Sequence, residues 1–411
     1  MEKVISLMGL GVFLAIAYAL STNRRAIRWK PVVGGLVLQF VLALFILRTR
    51  VGLGLFSWFG DLIVQFFAYS DAGSIFVFGE NFKDFFFAFK VLPSIIFFSA
   101  FISILYHYGV LQRAVVVMAW VMRRTMGISG VESLSAAANV FVSQTEAPLV
   151  IRPYIKSMTT SELNAVMVGG FATVSGWLLP AFISFGISAE HLITASVMSA
   201  PAGLAIAKIL YPETVSINRN PVDVAHKKAT NVIDAVATGA SEGVKIAVSI
   251  AAMVIAFLGL LTAINGLMSW AGGFVGLSQL SLELVMSYVL APMAWLMGVA
   301  WSDCSQVAVL LGKKVILNEF IAYSSLQQLM DGVSVIPGQE QLAVEVSERS
   351  LTIATYALCG FANLGSIGIQ IGGLSALAPE RQSELAELGL RAMIGGTLAS
   401  FMTAAIAGFL L

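Results

Sequence analysis

Residues 133–152 read SLSAAANVFVSQTEAPLVIR, and residues 304–328 read CSQVAVLLGKKVILNEFIAYSSLQQ. Each opens as an uncharged apolar run too short to cross a bilayer core, which takes roughly 20 residues of helix. Each then meets polar residues and an acid before turning apolar again. In the first the acid is Glu146, followed by Ala147 and Pro148; in the second it is Glu319, preceded by Lys313 and Lys314. A half-length run, a polar tip and a half-length return describe a re-entrant hairpin. Such a hairpin is tolerated at membrane depth only where protein or a water-filled cavity covers its freed backbone groups. An acid inside a membrane segment costs about 2.5 to 3.5 kcal/mol on insertion scales and is a site candidate by default. The competing reading makes each acid the structural partner of a base, Arg152 for Glu146 and Lys313 or Lys314 for Glu319.

The rest of the chain has the composition of an all-α polytopic membrane protein. Of 411 residues, 58% are apolar and 11% charged, and the mean hydropathy is +0.88. With 24 basic and 23 acidic residues the net charge is +1, so no long-range field exists to recruit nucleic acid or an acidic partner. Cys304 and Cys359, both in apolar stretches, and the scattered His107, His191 and His226 offer neither a disulfide framework nor a transition-metal cluster.

Uncharged runs at 4–20, 31–47, 91–106, 163–185, 192–207, 246–282, 351–378 and 392–411 predict eight spans. The first is read as a retained helix, since no small-residue cleavage site follows it. Segments 51–69 and 108–126 alternate apolar with polar residues and are expected to lie along the interface. Lys and Arg collect in loops that stay cytoplasmic. Arg24, Arg25, Arg28 and Lys30 mark one such loop, Arg113, Arg123 and Arg124 a second, and Lys208, Arg219, Lys227 and Lys228 a third. Both termini are then expected outside.

An internal repeat relates the two acid-bearing segments. Gly170-Phe171-Ala172-Thr173-Val174-Ser175-Gly176 recurs as Gly360-Phe361-Ala362-Asn363-Leu364-Gly365-Ser366, each copy downstream of one hairpin. By the topology above the copies run in opposite directions, the inverted repeat of secondary transporters. In those proteins helices unwind near mid-membrane, so that backbone carbonyls bind cations and hairpin tips meet the substrate. The polar side chains there are Asn139, Ser143, Gln144, Thr145, Glu146, Glu319, Asn363 and Ser366, with no Arg or Lys placed to clamp an anion. Carboxylates accept hydroxyl donors and amides read donor–acceptor edges, so the expected ligand is a neutral polyhydroxylated or heterocyclic solute.

Three segments, Ser143-Gln144-Thr145-Glu146-Ala147-Pro148-Leu149, Asn318-Glu319-Phe320-Ile321-Ala322-Tyr323 and Cys359-Gly360-Phe361-Ala362-Asn363 through Ser366-Ile367-Gly368, resemble the signatures of the concentrative nucleoside transporters. The likeness covers nearly the whole chain. It implies a bacterial, sodium-coupled type of the inner membrane, a homotrimer of eight-span protomers importing nucleosides by an elevator movement, with no cofactor beyond the sodium ion. The scaffold would comprise residues 1–107 together with the cytoplasmic linker and sixth span in 211–275. The transport part would comprise 108–210 and 276–411.

Carried over position by position, the resemblance places the base near Gln144, Thr145 and Glu146, with Leu178 lining its pocket. Glu319, Asn363 and Ser366 would hold the ribose, and sodium would sit among Asn139, Val142, Thr173 and Val174. Three positions depart from the pattern. Ser143 stands where many members have Gly and implies a pyrimidine preference, Trp177 replaces a small residue, and Gly365 replaces a common Ser.

Proton coupling through Glu146 or Glu319 is the nearest alternative, and an elevator for another neutral solute is the next. An intramembrane hydrolase would need a nucleophile or metal motif that the membrane segments lack, so no enzyme activity is expected.

Overall fold

The uncharged run 163–185 does not form one helix. In the computed structural model, which describes residues 1–215, 229–274, 276–277, 279–336, 339 and 341–411 (for Trp177 the backbone only), it is two short helices separated by a break. The run 351–378 breaks in the same way. The local chemistry explains both. After the first helix of the pair, Thr173 turns extended at φ −110°, ψ 156°. Pro180 then restarts the second at its first turn, where a missing N–H costs nothing. In the other pair Cys359 is extended and Gly360 takes φ +129°, a value open to glycine and strained for other residues. Asn363 then caps the returning helix, accepting from the Ser366 amide at 2.8 Å.

Numbered along the chain, α1 is Glu2–Ala19, α2 Trp29–Arg48, α3 Arg50–Ala68, α4 Ser70–Phe78, α5 Leu92–His107 and α6 Val110–Met126. The first hairpin is α7, Gly130–Asn139, a turn over 140–146, and α8, Ala147–Val150. The broken pair α9, Thr160–Ala172, and α10, Leu179–Ser184, follows, then α11, Ala189–Leu210. After α12, Val232–Gly273, and α13, Leu282–Leu296, the same order returns. A hairpin of α14, Cys304–Ile316, and α15, Glu319–Met330, leads to the broken pair α16, Glu348–Leu358, and α17, Leu364–Leu377, and the chain closes with α18, Gln382–Leu410. Among the described residues the only β pairing is an isolated bridge between Val333 and Ala343.

Several sequence expectations change in detail. The run 246–282 belongs to two helices. α12 starts well before it and is 42 residues long, about 63 Å at 1.5 Å per residue, while α13 was not anticipated. Segment 51–69, read as interfacial, continues into α4, and Arg50–Phe78 is long and apolar enough to cross a membrane by length and composition. Lys208, counted as a loop cation, is 3% exposed within α11. Its ammonium is paired with the Glu132 carboxylate of α7 and bonds Ser161 Oγ at 2.9 Å. Charge counting cannot separate a buried, paired lysine from a loop lysine. Arg219, Lys227 and Lys228 lie outside the described residues.

Packing follows small residues. Gly239 and Gly243 of α12, four apart on one face, press against Ser99, Ala100 and Ile96 of α5, with added Cβ atoms falling 2.8 and 2.7 Å from backbone there. Such small-xxx-small faces let helix backbones approach closely in lipid, and Ser99 Oγ donates to the Gly239 carbonyl at 2.6 Å. Elsewhere α12 exposes Ile255, Leu260, Leu267 and Trp270, as a lipid-facing helix does. The two helix breaks meet in the core, where a Cβ on Gly360 would come 2.7 and 2.9 Å from the carbonyl oxygens of Phe171 and Ala172. Gly360→Ala is therefore expected to cost about 2 kcal/mol or more, from strain at positive φ and the backbone clash. A thermal melt of the detergent-solubilised variant checks this, and an unchanged midpoint would contradict it.

Candidate functional site

The second hairpin turns at Leu317, and Asn318 caps α15 by accepting from the Ile321 amide at 2.9 Å. This puts Glu319 on the first turn of α15, 5% exposed. Its Oε2 accepts from Asn363 Nδ2 at 3.1 Å. Because Asn363 Oδ1 is already held by the Ser366 amide, the amide can only donate to Glu319. The expected trio Glu319, Asn363 and Ser366 thus forms one cluster where the tip of the second hairpin meets the start of α17. The lysines offered as alternative partners reach elsewhere: Lys314 Nζ donates to the Ala357 carbonyl at 2.8 Å and Lys313 Nζ to Ser325 Oγ at 3.0 Å.

At the first hairpin the turn over 140–146 is held by its own residues. Glu146 Oε2 accepts from the Ser143 amide at 2.9 Å, and the hydroxyls of Ser143 and Thr145 lie 3.0 Å apart. Gln144, 8% exposed, points the other way and accepts at Oε1 from Gln370 Nε2 of α17 at 2.9 Å. Sequence reasoning passed over Gln370, although a Gln in an uncharged membrane run is itself a signal. Thr145 packs on the same face of α17, where a Cβ on Gly373 would lie 3.1 Å from its methyl. Ser366 and Gln370 are one turn apart, about 6 Å along the axis. A single short helix therefore joins the carboxylate–amide cluster of one hairpin to the Gln144–Thr145 tip of the other.

Leu178 ends the 3-10 turn Gly176–Leu178 and is buried in a core shared with Phe182, Phe185 and Phe320. The side chain of Trp177 lies outside the described residues.

The four residues expected around sodium are grouped as follows. Asn139, 1% exposed, keeps a buried Oδ1 with no hydrogen-bond partner. A Cβ on Gly169 would lie 3.5 Å from its Nδ2, and Thr173 Oγ1 donates to the Gly169 carbonyl at 2.9 Å. Ser196 Oγ of α11 spans the carbonyls of Val140 and Val174 at 3.4 and 3.5 Å, too long to satisfy either fully. Val142 forms part of the turn, its amide bonded to the Ala138 carbonyl at 3.0 Å. An orphaned amide oxygen and under-used carbonyls at a helix break are hard, uncharged donors suited to a monovalent cation. Among the described residues no cluster of His, Cys, Asp and Glu is arranged to bind a metal.

Residues 191–408 match the family model of the Na+ dependent nucleoside transporter C-terminus, residues 8–81 that of its N-terminus, and residues 88–189 a nucleoside recognition (gate) domain. The chain belongs to the Na+ dependent nucleoside transporter family. Sodium/nucleoside cotransporter 1 is 49% identical in Rattus norvegicus and 47% in Homo sapiens, with all of this chain aligned to 64% of each. Solute carrier family 28 member 3 of Eptatretus stoutii is 48% identical, with 61% of it covered. The chain thus spans somewhat less than two thirds of the length of these relatives.

Among solved structures, CNTnw in an inward-facing substrate-bound state is 41% identical with a TM-score of 0.91, covering 100% of this chain and 98% of that one. CNTnw N149L in its intermediate 2 state gives 0.93 at 40% identity, covering 100% and 99%. CNTnw is also known in an outward-facing state. The family's members are transporters rather than enzymes, and this chain is a multi-pass membrane protein.

Proposed function

We propose that the protein is a secondary active symporter that imports nucleosides, preferring pyrimidines, on a sodium gradient. The carrying observation is α17. It holds Asn363 and Ser366 beside Glu319, and one turn later Gln370 and Gly373 beside Gln144 and Thr145. The span between the clusters suits a ribose at one end and a base at the other, with Leu178 beside the base. Glu319, Asn363 and Ser366 bind the sugar hydroxyls, while Ser143, Gln144, Thr145 and Glu146 read the base. Sodium is carried at Asn139, Val142, Thr173 and Val174, as the orphaned Asn139 oxygen favours. The proposal includes eight spans, two re-entrant hairpins and a homotrimer in a bacterial inner membrane. Residues 108–210 and 276–411 move as the elevator against a scaffold of 1–107 and 211–275. Family membership and the inward-facing, intermediate and outward-facing states of CNTnw support alternating access.

One sodium ion is thermodynamically sufficient. Moving it down 100 mV gains about 2.3 kcal/mol, and a tenfold concentration gradient brings the total to about 3.7 kcal/mol, enough for an accumulation of several hundredfold.

The test is radiolabelled uridine uptake into proteoliposomes under an imposed sodium or proton gradient. Accumulation under sodium alone is expected. Accumulation under protons alone would move coupling to Glu146 or Glu319, and no uptake under either would point to another neutral polar solute. In the same assay Ser143→Gly is expected to raise the inosine-to-uridine uptake ratio, and an unchanged ratio would remove the pyrimidine role of Ser143.

A further inference from the structure

Gln370 is 2% exposed on α17, where the first hairpin crosses it. Its Nε2 makes two hydrogen bonds, to the Met167 carbonyl at 3.1 Å and to Gln144 Oε1 at 2.9 Å. The first bond settles the second. A backbone carbonyl only accepts, so the atom of Gln370 facing Met167 is its NH2 group, and the atom of Gln144 facing the same NH2 group is an oxygen. The rotation that would exchange O and N in Gln144 is therefore blocked by a backbone atom two links away.

Space for this arrangement is reserved in the backbone. Gly170 lies where a Cβ would come 2.5 Å from Gln370 Nε2 and 3.0 Å from Gln144 Cβ, so any larger residue would drive the two amides apart. With Oε1 engaged by Gln370, Gln144 has only its two Nε2 hydrogens left to present to a ligand.

We infer that Gln370 is a positioning residue that makes Gln144 a dedicated donor, so that the site selects bases carrying a carbonyl oxygen or unprotonated ring nitrogen on the edge facing the first hairpin. This rests on the nucleoside reading above and adds the sense in which the base is read. Without Gln370 the Gln144 amide is free to rotate, and a donor edge is accepted as readily as an acceptor edge.

The test compares two ligands on purified protein in detergent with sodium, by titration calorimetry. Uridine carries acceptors on its base; a riboside bearing a phenyl ring at C1 keeps the sugar and a flat ring but has none. Gln370→Met, close in length and volume, is expected to weaken uridine about tenfold, the size of one hydrogen bond, while phenyl riboside changes less than twofold. Retained phenyl riboside binding also shows that the variant is folded, and Gln370→Leu is expected to behave alike.

Gln144→Met should give the same narrowing of the ratio, and the double variant no further loss, since the two residues act as one unit. Equal weakening of both ligands in both Gln370 variants would make the residue merely structural and overturn the inference alone. So would full additivity of the two substitutions. A wild-type protein that binds neither ligand would overturn the nucleoside reading as well.

Discussion

Glu319→Gln is expected to lower the kcat/KM of sodium-driven uridine uptake between about tenfold and a hundredfold, the range for losing hydrogen bonds to a charged group. The argument is geometric. Glu319 Oε2 receives Asn363 Nδ2 at 3.1 Å, and Asn363 has no acceptor atom left to trade, because Oδ1 is committed to the Ser366 amide at 2.8 Å. A glutamine in place of Glu319 can still accept from Asn363 through its oxygen. Its other atom then becomes an NH2 group facing the position proposed for the ribose, where a hydroxyl needs an acceptor.

The loss should consequently depend on the sugar. Wild-type protein should discriminate against 3′-deoxyuridine or 2′-deoxyuridine, and Glu319→Gln should reduce that discrimination while leaving Gln144-dependent base selectivity intact. Equal activity of variant and wild type on uridine would remove Glu319 from the ribose site.

The largest effect on stability is expected from Lys208→Met. Lys208, Glu132 and Glu213 are 3%, 1% and 6% exposed, and the ammonium is the cation facing both carboxylates, with Glu213 Oε2 at 3.7 Å. The acids also serve the backbone. Glu132 closes a capping box with Ser129 at the start of α7, and Glu213 accepts from Thr159 Oγ1 at 2.8 Å at the start of α9. Removing the ammonium leaves buried carboxylates uncompensated, which costs about 3–5 kcal/mol.

A substantially lower melting midpoint in detergent is the expected result. Lys208→Met combined with Glu132→Gln should recover most of the loss, because glutamine keeps the acceptor needed by the capping box and carries no charge. If the double variant melts no higher than the single one, the cost lies in lost packing of the lysine stem.

How much of this was legible in the sequence depended on the scale of the signal. The acids at two half-length apolar runs led to both hairpin turns, and the Gly-Phe-Ala repeat led to both helix breaks, because a polar or small residue in an apolar run stands out against its neighbours. The pairing of Glu319 with Asn363 was implied by the repeat and by family resemblance, and the structure brings the two into contact. Partners contributed from distant helices were not legible. Gln370 and Ser196 acquire a role only when α17 and α11 are placed beside the first hairpin, and Lys208 looks like any cytoplasmic cation until Glu132 is seen facing it. Element boundaries failed where composition is uniform. The junction of α12 and α13 lies inside one uncharged run, and the N-terminal part of α12 lies outside it.

The meeting of the two helix breaks bears on how this chain is free to evolve. Phe171 belongs to the first copy of the repeat, yet its backbone carbonyl faces Gly360 in the second copy, and Gly396 of α18 closes on it from another side. Two halves descended from one ancestral segment ordinarily drift apart, each accumulating changes on its own account. Here a bulkier residue at Gly360 or Gly396 would need a compensating retreat of the backbone around Phe171, in the opposite half. The halves have thus lost their independence as mutational units, and variation among relatives at these three positions is expected to be correlated or absent.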